Sequence, residues 1–111
     1  MSDLYLVFSE RPASVSAEDY DRWYREHLSE NLGAPGFDAG QRFALQHMVA
    51  QDRDSFHHLA VYETTGTMEE LRAGLDRRIT SGEVVLPDWF KDIRFSSWRA
   101  TSLDERVVAD E

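Results

Sequence analysis

The chain contains no cysteine, which excludes disulfides, thiolate catalysis and cysteine-ligated zinc and leaves redox usage silent about compartment. Lysine is nearly absent as well. Eleven of the 12 basic residues are arginine and Lys91 is the exception, a bias read more readily as genome composition than as function. No apolar run approaches the roughly 20 residues needed to span a bilayer, so no membrane association is expected. The N-terminus enters Leu4-Tyr5-Leu6-Val7-Phe8 without a basic segment or a small-residue cleavage site, which gives no sign of export and places the chain, as an expectation, in the cytoplasm. Phosphate loops, glycine-rich dinucleotide turns and Gly-x-Ser-x-Gly elbows are missing, so nucleotide cofactors and serine-hydrolase chemistry have no support. A net charge of −9, with basic residues scattered rather than gathered into a stripe, would repel phosphate backbones and anionic lipids. Nucleic acid is therefore a poor candidate, and no nucleic-acid partner is expected.

What is present is one domain. The 111 residues suit a single core, with 41% hydrophobic and 30% charged residues. No repeat, low-complexity stretch or linker divides residues 1–102, and the acidic stretch 103–111 reads as a flexible tail. A first strand is expected over Leu4 to Ser9, broken by Arg11-Pro12-Ala13. A helix begins at Ser16, which can cap the first free amides, with Asp19 three residues later and Val15 and Tyr20 at hydrophobic-staple spacing. That helix runs to about Leu32, where Gly33 is placed to stop it. A long second strand is expected over Phe37 to Ala50, a polar connection at Gln51-Asp52-Arg53-Asp54, and a third strand over Phe56 to Thr65. Thr67-Met68-Glu69-Glu70 opens a second helix with a capping box, ending near Gly82. The last strand is expected over Asp92 to Thr101. This β-α-β-β-α-β order predicts a ferredoxin-like α+β domain, a four-stranded antiparallel sheet with both helices on one face.

The two helices differ. The second carries Met68, Leu71, Leu75 and Ile79 in one stripe, with Arg72, Asp76 and Arg77 beside or opposite it, and reads as ordinary core packing. The first carries Tyr20, Trp23, Tyr24, His27, Leu28 and Asn31 at i, i+3, i+4, i+7, i+8 and i+11. His27 and Asn31 sit within about 20° of Tyr20 around the helix and so point at the sheet. An unpartnered polar group there costs on the order of 1–3 kcal/mol. One reading is a core histidine satisfied by the backbone or a strand side chain. The other is a cleft between helix and sheet, walled by Trp23 and Tyr24, with His27 as its acid or base.

The run Trp23-Tyr24-Arg25-Glu26-His27-Leu28-Ser29-Glu30-Asn31-Leu32-Gly33-Ala34-Pro35-Gly36-Phe37, followed by Gln41-Arg42-Phe43, resembles the EthD-like branch of the dimeric α/β barrel superfamily. Its pattern is roughly W/Y-x-x-x-H-x-P, a spacer, P-G-F and a strand with R-Y or R-F. Leu59-Ala60-Val61-Tyr62-Glu63 is similar to that branch's third strand. The likeness covers about residues 4 to 100, and Ser29 stands where the branch often has proline. The resemblance implies the fold, a homodimer and a cleft. It implies chemistry loosely, since the superfamily includes cofactor-independent cyclases, isomerases, lyases and monooxygenases, haem-binding members and proteins without known activity. A proton-transferring histidine of such enzymes maps onto His27.

Other candidates are weaker. His57 and His58 are adjacent in a strand and project to opposite faces, so at most one joins His27. If alternation is clean, His57, Leu59, Val61 and Glu63 share one face and His58, Ala60 and Tyr62 the other. Arg42 could bind a substrate carboxylate or enolate, or pair with an acid to fix the sheet. Tyr62 and Trp98 are possible cleft walls, and Trp89 and Phe90 must cover a cleft mouth or a partner subunit. No helical His-x-x-x-His spacing supports a metal site. The expected activity is a cofactor-independent lyase, isomerase or cyclase acting by proton transfer on a small, mostly apolar, cyclic or aromatic molecule. Catalysis would fall to His27. Binding would fall to Trp23, Tyr24, Asn31, Arg42, His58, Tyr62, Trp89, Phe90 and Trp98. The alternative is a non-catalytic binding or accessory protein of a catabolic or biosynthetic pathway. A homodimer is expected from patterning too. Leu4, Leu6 and Phe8 with Leu59 and Val61, or Tyr5 and Val7 with Ala60, Tyr62 and Trp98, would form the sheet face away from the helices, and neither set is polar enough for water.

Overall fold

The computed structural model describes residues 3–49 and 55–110. Strands β1 (Asp3–Glu10), β2 (Phe37–Ala44), β3 (His58–Thr64) and β4 (Arg94–Ala100) and helices α1 (Ala17–Asn31) and α2 (Met68–Thr80) follow the β-α-β-β-α-β order. The strands lie in the order β2, β3, β1, β4, with each neighbouring pair antiparallel. This is the ferredoxin-like α+β fold.

Local chemistry explains the helix starts. The Ser16 hydroxyl accepts from the Asp19 amide at 3.1 Å, and Thr67 does the same for Glu70. Their ends differ from expectation. Gly33 keeps an ordinary backbone, and the positive φ that glycine supplies falls at Gly36, at +88°, where the chain turns into β2. A Cβ there would meet the Thr65 carbonyl oxygen at 2.4 Å. Gly82, also at positive φ, lies just beyond α2.

The second strand is shorter than its pattern suggests. Pairing with β3 stops at Ala44 opposite His58 and slips between Phe37 and Ala39; beyond it Leu45 donates one bond to the His57 carbonyl. Among the described residues, the alternating positions that continue to Val49 have no strand beside them, and a ladder needs a partner more than a propensity. The expected connection at 51–54, and Ala50, lie outside the described residues. The last strand also starts late, because Asp88–Asp92 forms a 3₁₀ turn. Residues 101–110 hold no helix or strand and are exposed.

Register decides the two sheet faces. Val7, Ser9, Ala60, Tyr62 and Thr64 face the helices and are buried, packed with Tyr20 and Tyr24 of α1, Leu71 of α2, Phe37 and Ile93. A fully buried polar tie across this layer is made by Tyr20, whose hydroxyl donates to Ser9 at 2.7 Å. The opposite face carries Leu4, Leu6 and Phe8 with Leu59 and Val61, and Trp98, paired with Leu6, belongs to it rather than to the Tyr5 set. Among the described residues, no helix is long and apolar enough to cross a membrane.

Candidate functional site

Helix α1 places Tyr24, His27 and Asn31 on successive turns of one stripe, aimed at the sheet. Opposite them β1 and β3 supply Tyr5, Val7 and Tyr62. Helix α2 closes the second side with Leu75 and Ile79, and carries Arg72 and Asp76 at the rim. Phe90 of the 3₁₀ turn and Phe95 and Ser97 of β4 complete the walls of a cleft of about 270 Å³. That volume suits a small organic molecule, and its walls are mostly aromatic and aliphatic.

His27 is the buried imidazole of this cleft, 9% exposed. Trp23 stacks on its ring at 4.7 Å between centroids and 15° between planes, and Phe90 approaches edge-on. Its Nδ1 is sealed from solvent without a hydrogen-bond partner. The nearest acid, Glu30 Oε1, is 3.7 Å from Nδ1 and partly solvated. At that distance the carboxylate gives little relief, and burial lowers the His27 pKa to about 4. The imidazole is therefore neutral at physiological pH.

A second polar feature lies beside it. Asn31 Nδ2 donates to the Tyr62 hydroxyl at 3.0 Å. Because that oxygen already accepts, the Tyr62 proton is free to donate elsewhere. Burial pushes the Tyr62 pKa up to about 12, against the opposing pull of the Asn31 bond, so the phenol keeps its proton. Burial likewise raises Tyr24 far above its ordinary value. Tyr5 donates to Ser97 Oγ at 3.4 Å along the sheet side. A neutral proton acceptor and a protonated phenol thus share an apolar cleft.

The structure brings together Tyr24, His27, Asn31, Tyr62 and Phe90 of the residues singled out in the sequence. Trp23 and Trp89 stand behind this lining, packed on each other at 5.0 Å and, through Trp23, on His27. Arg42 and His58 are elsewhere. Arg42 bonds Asp21 Oδ1 at 2.9 Å and lies over the Tyr24 ring, the acid-pairing alternative. His58 packs on Tyr20, 3.9 Å from the same Asp21 oxygen. His57 precedes β3 and contacts Glu10. Trp98 is on the far face of the sheet, 60% exposed, because residues of β4 alternate and its partner is Leu6 rather than Tyr5. Sequence reasoning missed Tyr5, Phe95 and Ser97, which only strand pairing aligns. It also assigned Leu75 and Ile79 to plain core, although their helical stripe runs past Leu71 into the cleft. Among the described residues, no group of three potential ligands could hold a metal ion.

No family model matches this chain, and no curated protein sequence matches it. Among solved structures, a putative monooxygenase from Shewanella loihica PV-4 superposes with a TM-score of 0.58 at 15% identity, covering 95% of this chain and 99% of that one. At such identity the likeness is one of fold.

Proposed function

We propose that this protein is an enzyme that binds a small, mostly apolar, cyclic or aromatic molecule bearing a carbonyl or hydroxyl group and moves one of its protons. The observation that carries this reading is His27: a neutral, partnerless imidazole held in an aromatic cleft. Desolvation removes competing water, and the ring takes a proton only when a bound substrate presents one in line. The Tyr62 phenol, already accepting from Asn31, would donate to the substrate oxygen on which negative charge develops. Tyr24 would set the ligand's plane. Such chemistry needs positioning and a single proton shuttle, as in lyases, isomerases and cyclases. The EthD-like resemblance of the segment from Trp23 to Phe37 supports the same assignment and extends it to a two-fold dimer.

The low basicity of His27 favours a second reading, in which the cleft binds its ligand without converting it. One experiment separates them. Native mass spectrometry of the purified protein identifies a co-purified molecule, which is then incubated with the full chain and with His27→Ala. Because the structural neighbour is described as a putative monooxygenase, oxygen uptake is recorded alongside product formation. Turnover that drops at least a hundredfold in His27→Ala supports the enzyme. Unchanged turnover removes His27 from the chemistry, and tight binding without turnover selects the accessory protein.

A further inference from the structure

The Glu30 carboxylate is poised against His27 without completing a bond. It lies one helical turn on, its Oε1 is 3.7 Å from Nδ1, and its side chain is 35% exposed. Glu30 makes no other side-chain hydrogen bond or ion pair among the described residues. Nδ1, in turn, is sealed and has no partner. Residues three apart on a helix are neighbours, so a rotamer adjustment of less than one ångström closes the gap to about 2.9 Å. Trp23, stacked on the ring, holds the imidazole plane while the carboxylate moves.

We infer that Glu30 is the positioning residue of His27, swinging in to accept Nδ1–H in the ligand-free protein and so fixing the tautomer that leaves Nε2 bare. This rests on the cleft reading above and deepens it. A buried unpartnered nitrogen costs free energy that the contact would recover. The contact would also raise the basicity that burial has depressed, since an adjacent carboxylate favours imidazolium.

The other titratable groups around the ring act from further off. They are Tyr24 on the same helix, Tyr5 and Tyr62 on the sheet, Arg72 and Asp76 on α2, and the exposed Asp88, Lys91 and Asp92 of the 3₁₀ turn. The test needs no substrate. Long-range ¹H–¹⁵N NMR on the labelled full chain reads the His27 tautomer at pH 7 and its protonation midpoint on acidification. Nδ1-protonated, Nε2-bare imidazole is expected, and Glu30→Gln should lower the midpoint by about one pH unit. Glu30→Asp, charged but too short, should fall between, while Asp76→Asn should move it less than Glu30→Gln does. An Nε2-protonated ring in the full chain, or a midpoint unmoved by Glu30→Gln, overturns the inference. Loss of the enzymatic reading, by unchanged turnover in His27→Ala, would leave the tautomer and midpoint results standing.

Discussion

At the scale of single residues, burial of His27 couples stability to pH. Its folded pKa of about 4 lies below the unfolded value of about 6.5, so the unfolded chain binds the extra proton between those limits. The sign follows: stability attached to His27 is complete above pH 6.5 and is lost as pH falls to about 4, with no further loss below. Urea unfolding at pH 7 and pH 4 should show the full chain losing on the order of 3 kcal/mol more than His27→Gln over that interval. Equal losses would mean that the imidazole is not desolvated. Tyr20 gives a second residue-scale expectation. Its hydroxyl satisfies the fully buried Ser9, and Tyr20→Phe leaves that oxygen unpaired, so about 1–2 kcal/mol should be lost in the same assay. Neither partner could be chosen from sequence, because Ser9 reads as the end of a strand and its burial depends on where α1 crosses it.

At the scale of elements, the turn from α1 into β2 governs where Asn31 and Phe37 sit. Gly36 adopts a left-handed backbone, and an added Cβ would press on the Thr65 carbonyl and on Leu71. Gly36→Ala should therefore destabilise by roughly 2 kcal/mol or more, whereas Gly33→Ala, with an ordinary φ and only the flexible Arg78 side chain in the way, should cost less. Thermal melts of the two variants compare them directly. Helix starts were legible because a cap is chosen by residues within four positions of it, as at Ser16 and Thr67. Strand ends were not. The end of β2 at Ala44 depends on how far β3 extends beside it, a partnership between residues far apart in sequence.

At the scale of the whole molecule, no helix of the described residues packs on one sheet face, although Phe56 reaches Phe8 at its edge. Leu4, Leu6, Phe8, Leu59 and Val61 share that face with Phe43 and Trp98, which are 42% and 60% exposed. A contiguous apolar face of this kind exceeds what monomers usually show to water. We propose that a second copy of the chain covers it about a two-fold axis, sheet against sheet. Sedimentation equilibrium at micromolar concentration, in enough salt to screen the −9 charge, should then give about twice 12.8 kDa. Trp98→Asp should shift the species toward one chain mass while leaving the cleft residues in place, since Trp98 touches the other side of the sheet. A monomeric full chain would remove the barrel.

What the sequence determined by itself was everything set by near neighbours: helix periodicity, the caps, the order of elements, and with them the ferredoxin-like fold and the inward aim of His27 and Asn31 from α1. Tertiary structure alone decided which alternate residues of each strand look at the helices. A strand's period of two fixes two sets but not their sides, and pairing Leu6 with Trp98 and Tyr5 with Tyr62 made the choice. That choice put Tyr5, Tyr62, Phe95 and Ser97 beside His27 and sent Trp98 away. It also decided that Arg42 and His58, on the same face as Tyr62, would meet Asp21 rather than the cleft, because position along a strand separates residues that share a side.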